Sequence, residues 1–360
     1  MPAPVRLAIV GSGWRAQFFA RLARALPESF ELAGMTSRRP ESVERAATAW
    51  GTRGYATVAD LLAAASPQVT IVSTPWPVTP VATAEVARAG GVVLAETPPA
   101  PDLAGLHALW AEVGATGRVH VAEQYLALPM HAARLTVVER GLVGEPQSVH
   151  VSSTHGYHAV SMIRGLLGAA DEHSPVTVRA HRFAGRIVQP LSREGWTDDP
   201  SVHDAGTVLA TLELDGRHGL YDFTDNQWHN QLRSRRILVR GMHGEISNDD
   251  VLRLSGPRQV TTTTLRRRQL GYDLDLDGYD TDHVSLGGEV LWSNPFVGKR
   301  WMDEEIAIAT LMLGAADLAL DDGPGPYPLA RACHDHAISL AIDEAVASDR
   351  PVTVDRQPWS

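Results

Sequence analysis

The chain has 360 residues, 44% hydrophobic and 21% charged, with a formal net charge of −10. That acidic balance excludes nucleic acid as the main partner, because phosphate binding needs a basic stripe. A single cysteine, Cys333, excludes an intrachain disulfide and an all-cysteine metal site. No stretch of about 18 uninterrupted apolar residues is present, so no membrane span is expected. The first residues lack a basic segment leading into an apolar run, and a cytoplasmic location is expected. The basic run Arg266–Arg268 and the acidic stretch Asp273–Asp282 read as solvated surface.

Val5–Val10 is a short β-branched, apolar run suited to a buried parallel strand, and it ends at Gly11-Ser12-Gly13. Apolar residues at helical spacing predict a helix over Trp14–Leu26. Further strands are predicted over Phe30–Met35, Val69–Ser73, Val92–Ala95 and Val119–Ala122, and helices over Glu41–Trp50, Val81–Ala89 and Leu103–Val113. Strands alternating with helices mean a parallel sheet covered on both faces. The pattern changes near residue 122. Helices over Ala132–Arg140 and His158–Leu167 precede strand-like runs at Val178–Phe183, Thr207–Leu214, Gly219–Thr224, Arg236–Val239 and Glu245–Ser247. Helices over Glu304–Leu320 and Leu329–Ala347 close the chain. The fold class is α/β: residues 1–122 form a parallel nucleotide-binding domain, and residues 123–360 an α/β domain with a large, mostly antiparallel open sheet.

Gly11-Ser12-Gly13-Trp14-Arg15-Ala16 follows a strand and opens a helix, the setting in which a dinucleotide fingerprint has meaning. The first glycine allows the tight turn, the second lets the backbone approach a pyrophosphate, and the small third residue lets helix and strand pack closely. The helix N-terminus adds free N–H groups and a partial positive charge. Gly11, Ser12, Gly13, Trp14 and Arg15 are therefore assigned to the cofactor. After the second strand comes Thr36-Ser37-Arg38-Arg39, with no acidic residue between Leu32 and Pro40. A hydroxyl and two guanidinium groups suit a 2′-phosphate better than a free ribose. Ser37, Arg38 and Arg39 thus favour NADP(H), with NAD(H) as the alternative.

Several segments together resemble the glucose–fructose oxidoreductase / inositol dehydrogenase (Gfo/Idh/MocA) family, whose members join a Rossmann domain to an α/β domain with an open sheet. Ser73-Thr74-Pro75 resembles its Thr-Pro cofactor loop, and Ala89 to Pro98 the stretch leading to its Glu-Lys-Pro signature. Gly141 to Glu145 resembles its Gly-x-[IL]-Gly turn, Tyr157-His158 to Gly168 its His-x-x-Asp helix, and Pro328 to Pro351 its closing helix. The resemblance places Ser73, Thr74, Pro75, Glu96 and Thr97 at the cofactor. It also shows departures: Thr97 stands at the lysine position, Thr154 at the aspartate four residues before the family histidine, and Ser161 at the aspartate three after it. Only His158 matches.

Hydride transfer is the cofactor's chemistry, so the protein must place the substrate and handle a proton. Histidine does this near neutral pH without large perturbation. His158 is assigned as acid/base, with Tyr125, His155 and Tyr157 as orienting groups. In Asp225-Asn226-Gln227-Trp228-His229-Asn230, a ring among amides suits a polyhydroxylated ligand, so Asn226, Trp228 and His229 are assigned to substrate. No metal site is expected: the histidines of His334-Asp335-His336 do not share a helix face. The expected function is an NADP(H)-dependent oxidoreductase of a sugar, cyclitol or related small polar molecule. The alternatives are imine reduction, redox-assisted elimination or glycoside cleavage, or a non-catalytic nucleotide sensor. Val208, Leu212, Leu220, Ile237 and Val239 are expected to exceed what one helical layer covers, implying a homodimer or dimer of dimers.

Overall fold

The computed structural model describes residues 3–192, 195–272, 278–320 and 323–360. Its first elements are β1 (Val5–Val10), α1 (Trp14–Ala25), β2 (Phe30–Thr36), α2 (Pro40–Trp50), β3 (Gly54–Tyr55), α3 (Val58–Ala65), β4 (Val69–Val72), α4 (Thr79–Arg88), β5 (Val92–Ala95), α5 (Leu103–Val113) and β6 (Val119–Val121). The strands form a six-stranded parallel sheet in the order β3-β2-β1-β4-β5-β6. β4 and β5 are buried at every position, as strands with helices on both faces must be. Local chemistry sets the helix ends: Thr57 accepts from the Asp60 N–H at 3.0 Å, Asp102 accepts from the Gly105 N–H at 2.7 Å, and Pro40 opens α2. The order reverses at β1, between β2 and β4, which makes the carboxyl ends there the ligand-binding edge.

The chain continues through α6 (Pro129–Glu139), β7 (Pro146–Ser152), α7 (Gly156–Leu166) and β8 (Val176–Phe183). A hairpin extension follows, in which β9 (Arg186–Val188), β10 (Leu191–Ser192), β11 (Gly195–Trp196) and β12 (Val202–Asp204) pair β9 with β12 and β10 with β11. Then come β13 (Thr207–Leu214), β14 (Arg217–Thr224), β15 (Arg236–Gly241), β16 (Gly244–Ser247), β17 (Asp250–Gly256), β18 (Gln259–Gln269), β19 (Thr281–Leu286) and β20 (Glu289–Ser293). The last elements are α8 (Asp303–Ala319), α9 (Leu329–Ser348) and β21 (Val352–Val354). The large sheet has the order β20-β19-β18-β17-β16-β15-β7-β14-β13-β8-β21, antiparallel except where β14 meets β7.

Two compact units result: Met1–Leu128 with Pro295–Cys333 and Trp359, and Pro129–Asn294 with His334–Pro358 and Ser360. The segment Pro295–Cys333, placed in the second domain by the sequence pattern, therefore clusters with the first unit. Its α8 buries Ile306, Ile308 and Met312, and Lys299 Nζ donates to the Ala25 carbonyl at 2.6 Å.

Two surface expectations change. Leu212, Ile237 and Val239 are buried within the chain, because strand alternation sets them on the face that α7 covers, beside Val149 and Val151. The exposed apolar residues of the sheet are instead Leu209, Leu252, Leu254 and Val260. Asp280 is buried and accepts from the Thr281 N–H at 2.9 Å, while residues 273–277 of the acidic stretch lie outside the described residues. Among the described residues, no helix is long and apolar enough to cross a membrane.

Candidate functional site

At the switch point, β1 ends in Gly11, whose N–H donates to the Thr36 carbonyl at 2.7 Å, while the Ser73 N–H donates to the Val10 carbonyl at 2.8 Å. Gly11 has φ +141°, and a Cβ there would stand 2.1 Å from the Ser73 carbonyl oxygen; only glycine fits. Gly13, the residue before α1, differs: a Cβ there would meet nothing within 4 Å. The first turn of α1 carries neither a capping side chain nor an acidic residue. No side chain caps this helix N-terminus with its partial positive charge, and the space beside Gly13 is open, which fits a pyrophosphate. Ser12 Oγ donates to Ser37 Oγ at 3.0 Å, tying the glycine turn to the end of β2, where Arg38 and Arg39 are exposed. The residues present fit a dinucleotide along this edge.

Farther along the edge, Thr74 and Thr79 share a hydroxyl hydrogen bond of 2.9 Å that holds the Ser73-Thr74-Pro75 loop to α4. Glu96, after β5, accepts from Arg15 Nε at 2.8 Å. Arg15 Nη1 donates to Glu304 at 2.7 Å, and Gln124 Nε2 donates to the same oxygen at 3.3 Å. Burial works against the Arg15 charge, but Glu96 and Glu304 outweigh it and hold the guanidinium above its usual range. Arg15 and Glu96, both assigned to the cofactor from sequence, are thus bound to each other. No spacing rule reaches Glu304, which lies far along the chain. The Thr97–Pro98 peptide is cis. Tyr125 lies in the short turn Tyr125–Ala127, its N–H donating to buried Glu123 at 3.3 Å.

In the second unit, His155 stands at the N-cap of α7. The following Gly156 has φ +43° and donates its N–H to the Tyr221 hydroxyl at 3.1 Å. Burial raises that phenol above its ordinary range. The His155 ring centroid lies 5.4 Å from His158, 4.6 Å from Trp228 and 5.8 Å from Phe223. Trp228 stacks on Phe223 at 5.2 Å, and His229 meets Trp228 at 5.6 Å. Two segments about seventy residues apart, which the sequence offers as separate clusters, therefore form one ring cluster. Phe223 was not singled out beforehand. Extending the alternation of β14 from Tyr221 would have placed it on the same face.

The amides around Trp228 are engaged in holding their own loop. Gln227 donates to the Ser152 carbonyl at 3.0 Å and accepts from the Thr224 N–H at 3.0 Å. Asn226, assigned to substrate, donates to Gln189 Oε1 at 3.2 Å, and Asn230 donates to the Val188 carbonyl at 2.9 Å. Asp225 accepts from the Gly206 N–H at 2.9 Å and pairs with Arg182. Tyr157 is buried, edge-on to His158 and His336 at 5.4 and 5.9 Å. His155 is exposed and His158 and Trp228 are half-buried, so these rings form the accessible part. Farther along α7, Arg164 is fully buried against Asp335, and donates to the Ala170 and Glu172 carbonyls at 2.7 Å each.

The parallel sheet, the glycine turn and the open helix N-terminus define an NAD(P)-binding oxidoreductase domain. Residues 5–124 match the model of an oxidoreductase family with an NAD-binding Rossmann fold. Over these residues the chain is similar to the Gfo/Idh/MocA oxidoreductases. No curated protein sequence matches it. Solved structures share the fold over nearly the whole chain. An NAD-binding oxidoreductase from Klebsiella pneumoniae is 15% identical with a TM-score of 0.70, covering 99% of this chain and 100% of the other. A myo-inositol dehydrogenase from Corynebacterium glutamicum is 15% identical, TM-score 0.67, covering 98% and 100%. A UDP-N-acetylglucosamine 3-dehydrogenase from Acidithiobacillus ferrooxidans is 16% identical, TM-score 0.65, covering 96% and 98%.

Proposed function

We propose that the protein interconverts a hydroxyl and a carbonyl group on a sugar, cyclitol or related small polar molecule, using NADP(H) in preference to NAD(H). The observation that carries this reading is the cluster of His155, His158 and Trp228 on one side of the second unit. A polyol needs a ring against its C–H face and an acid/base at its reacting oxygen, and this cluster offers both. The inositol and amino-sugar dehydrogenases that share the fold support the same substrate class. The nicotinamide, when bound, carries the hydride. His158 takes the proton from the substrate hydroxyl oxygen during oxidation and returns it during reduction. His155 orients that oxygen, and buried Tyr157 steadies the His158 ring. Thr97 and Thr154 cannot ionise, so neither shares the proton.

Exposed Arg38 and Arg39 beside Ser37 support the 2′-phosphate preference. The exposed Leu209, Leu252 and Leu254 support self-association as a homodimer or dimer of dimers, and a cytoplasmic location accompanies this reading. The test is His158→Asn, assayed on whichever polyol the wild-type chain oxidises in a sugar and cyclitol screen with NADP⁺. Turnover should fall about 10²–10⁴-fold while cofactor affinity holds, and the acid limb of the pH–rate profile should vanish. Tyr125→Phe should cost activity without removing that limb. Parental turnover in His158→Asn would overturn the assignment.

A further inference from the structure

We propose that the cavity at the ends of β14, β7 and β15, on the face of the large sheet turned away from α7, binds a small polyhydroxylated anion: a sugar acid or a sugar phosphate. Strand register puts the cavity there. In β14 the Tyr221 hydroxyl meets Gly156 at the start of α7, and the Phe223 ring meets His155. Asp222 between them therefore points to the opposite face. Val151 pairs with Tyr221 on one side and with Ile237 on the other, and Ser152 pairs with Arg236. Asp222, Ser152 and Arg236 thus stand side by side across three neighbouring strands, away from α7 and the ring cluster. Thr224 continues the row along β14, and the loop after that strand closes it with Gln227 and Arg233. The cavity measures about 350 Å³, room for a molecule of hexose size.

The lining selects the occupant. Leu232 is its one apolar residue, so the cavity offers little to an apolar ligand. Arg233 and Arg236 are exposed, and among the described residues neither forms an ion pair with a carboxylate; Arg233 Nη1 donates to the Leu232 carbonyl at 3.1 Å. Arg164, Arg182 and Arg217 of the same unit are each paired with an acid. Two guanidinium groups without acids at one cavity present forked donors to a carboxylate or phosphate. Asp222, two strands from Arg236, is half-buried with His150 Nε2 at 3.6 Å. His150 first, then Ser152 and Arg236, hold its carboxyl below the usual range against the opposing effect of burial. An ionised carboxylate only accepts, so it takes hydroxyl groups and repels a second anion. The ligand therefore carries charge at one end and O–H donors at the other. The floor is rigid: buried Gln227 donates to the Ser152 carbonyl at 3.0 Å, to Ser152 Oγ at 3.1 Å and to the Ser234 carbonyl at 3.1 Å. The next residue, Trp228, belongs to the ring cluster, so the two sites meet back to back at this loop.

The experiment titrates the full chain with glucuronate, with glucose 6-phosphate and, as the neutral control, with glucose. At least one of the two anions should bind more tightly than glucose, and which one does separates a carboxylate from a phosphate. Replacing Arg233 and Arg236 together with alanine should weaken that anion about tenfold or more, as loss of charge-assisted bonds requires, while the melting temperature and NADPH affinity hold. Asp222→Asn should also weaken it, and His158→Asn should bind it as the parent chain does. Neither anion binding better than glucose overturns the proposal. So does an unchanged affinity in the double arginine variant, or a loss in His158→Asn, which would put the anion at the ring cluster. A parent chain that binds neither anion, with a double variant that turns monomeric by light scattering, overturns it as well and assigns the arginines to self-association.

Discussion

The glycine-turn edge of the parallel sheet and the ring cluster of the large sheet are built in opposite ways. At the first, a helix N-terminus without a side-chain cap borders open space at Gly13, and Arg38 and Arg39 are exposed. At the second, nearly every amide and carboxylate is committed to the protein's own loop, and only rings are left to meet a ligand. A diphosphate is recognised by donors that need no side chain, so its site stays ready as the fold forms. A polyol site needs side chains from distant segments in register, and the hydrogen bonds go into keeping that register.

Substitutions that strike one region and spare the other sharpen the contrast. The largest effect is expected at Arg164, which fastens the helix whose first turn carries His155 and His158. Arg164→Met takes away the buried guanidinium partner of Asp335 and should cost about 3–5 kcal/mol in denaturant unfolding. Replacing both Arg38 and Arg39 with alanine should do the reverse, leaving stability alone. NADPH affinity should then drop by about 1.5–3 kcal/mol for each charge-assisted bond lost, with NADH little changed. Equal NADPH affinity before and after, read by titration, would remove the case for a 2′-phosphate.

The two glycines of the turn divide the same question within one segment. Gly11→Ala drives a Cβ against the Ser73 carbonyl and should lower stability by about 1–3 kcal/mol. Gly13→Ala, in open space at φ −70°, should keep the melting temperature and weaken cofactor binding instead. The smallest effect, taken per pH unit, concerns His120, where burial, outweighing backbone bonds to Gly117 and Tyr327, pushes the imidazole down to about 4. Between the ordinary value of 6.5 and about 4 the unfolded chain holds a proton that the folded chain does not. Stability should therefore fall as pH drops through that window, by up to about 1.4 kcal/mol per pH unit. His120→Asn should flatten that slope, and an unchanged slope in thermal melts would assign it elsewhere.

The first unit was legible because its signals are local. Val5–Val10, the glycine turn and the helix at Trp14 each follow from neighbours in sequence, and their predicted bounds shift by a residue or less. The central strand β7 was missed: Pro146–Ser152 opens with proline, glutamine and serine, and its place is set by pairing with β14 and β15. The site residues divide similarly. Gly13 and Ser37 stand in a local pattern from which a cofactor role can be proposed, whereas the Arg15–Glu304 bond depends on a helix nearly three hundred residues later. The Asn226 amide looked available because nothing local reveals Gln189 as its partner.

That late helix carries a consequence for how the chain is made. Residues 1–128 leave the ribosome first, yet Arg15, Arg21 and the Ala25 carbonyl find their partners in residues 295–333. At a synthesis rate of about 5–20 residues per second, the intervening segment takes roughly ten to thirty seconds to appear. For that interval Arg15 has Glu96 as its one carboxylate partner rather than two, and apolar surface stands bare where α8 will dock. The second unit waits longer still, because His334–Pro358, with the Asp335 partner of Arg164, emerges after Cys333, so both units are finished only near the end of synthesis.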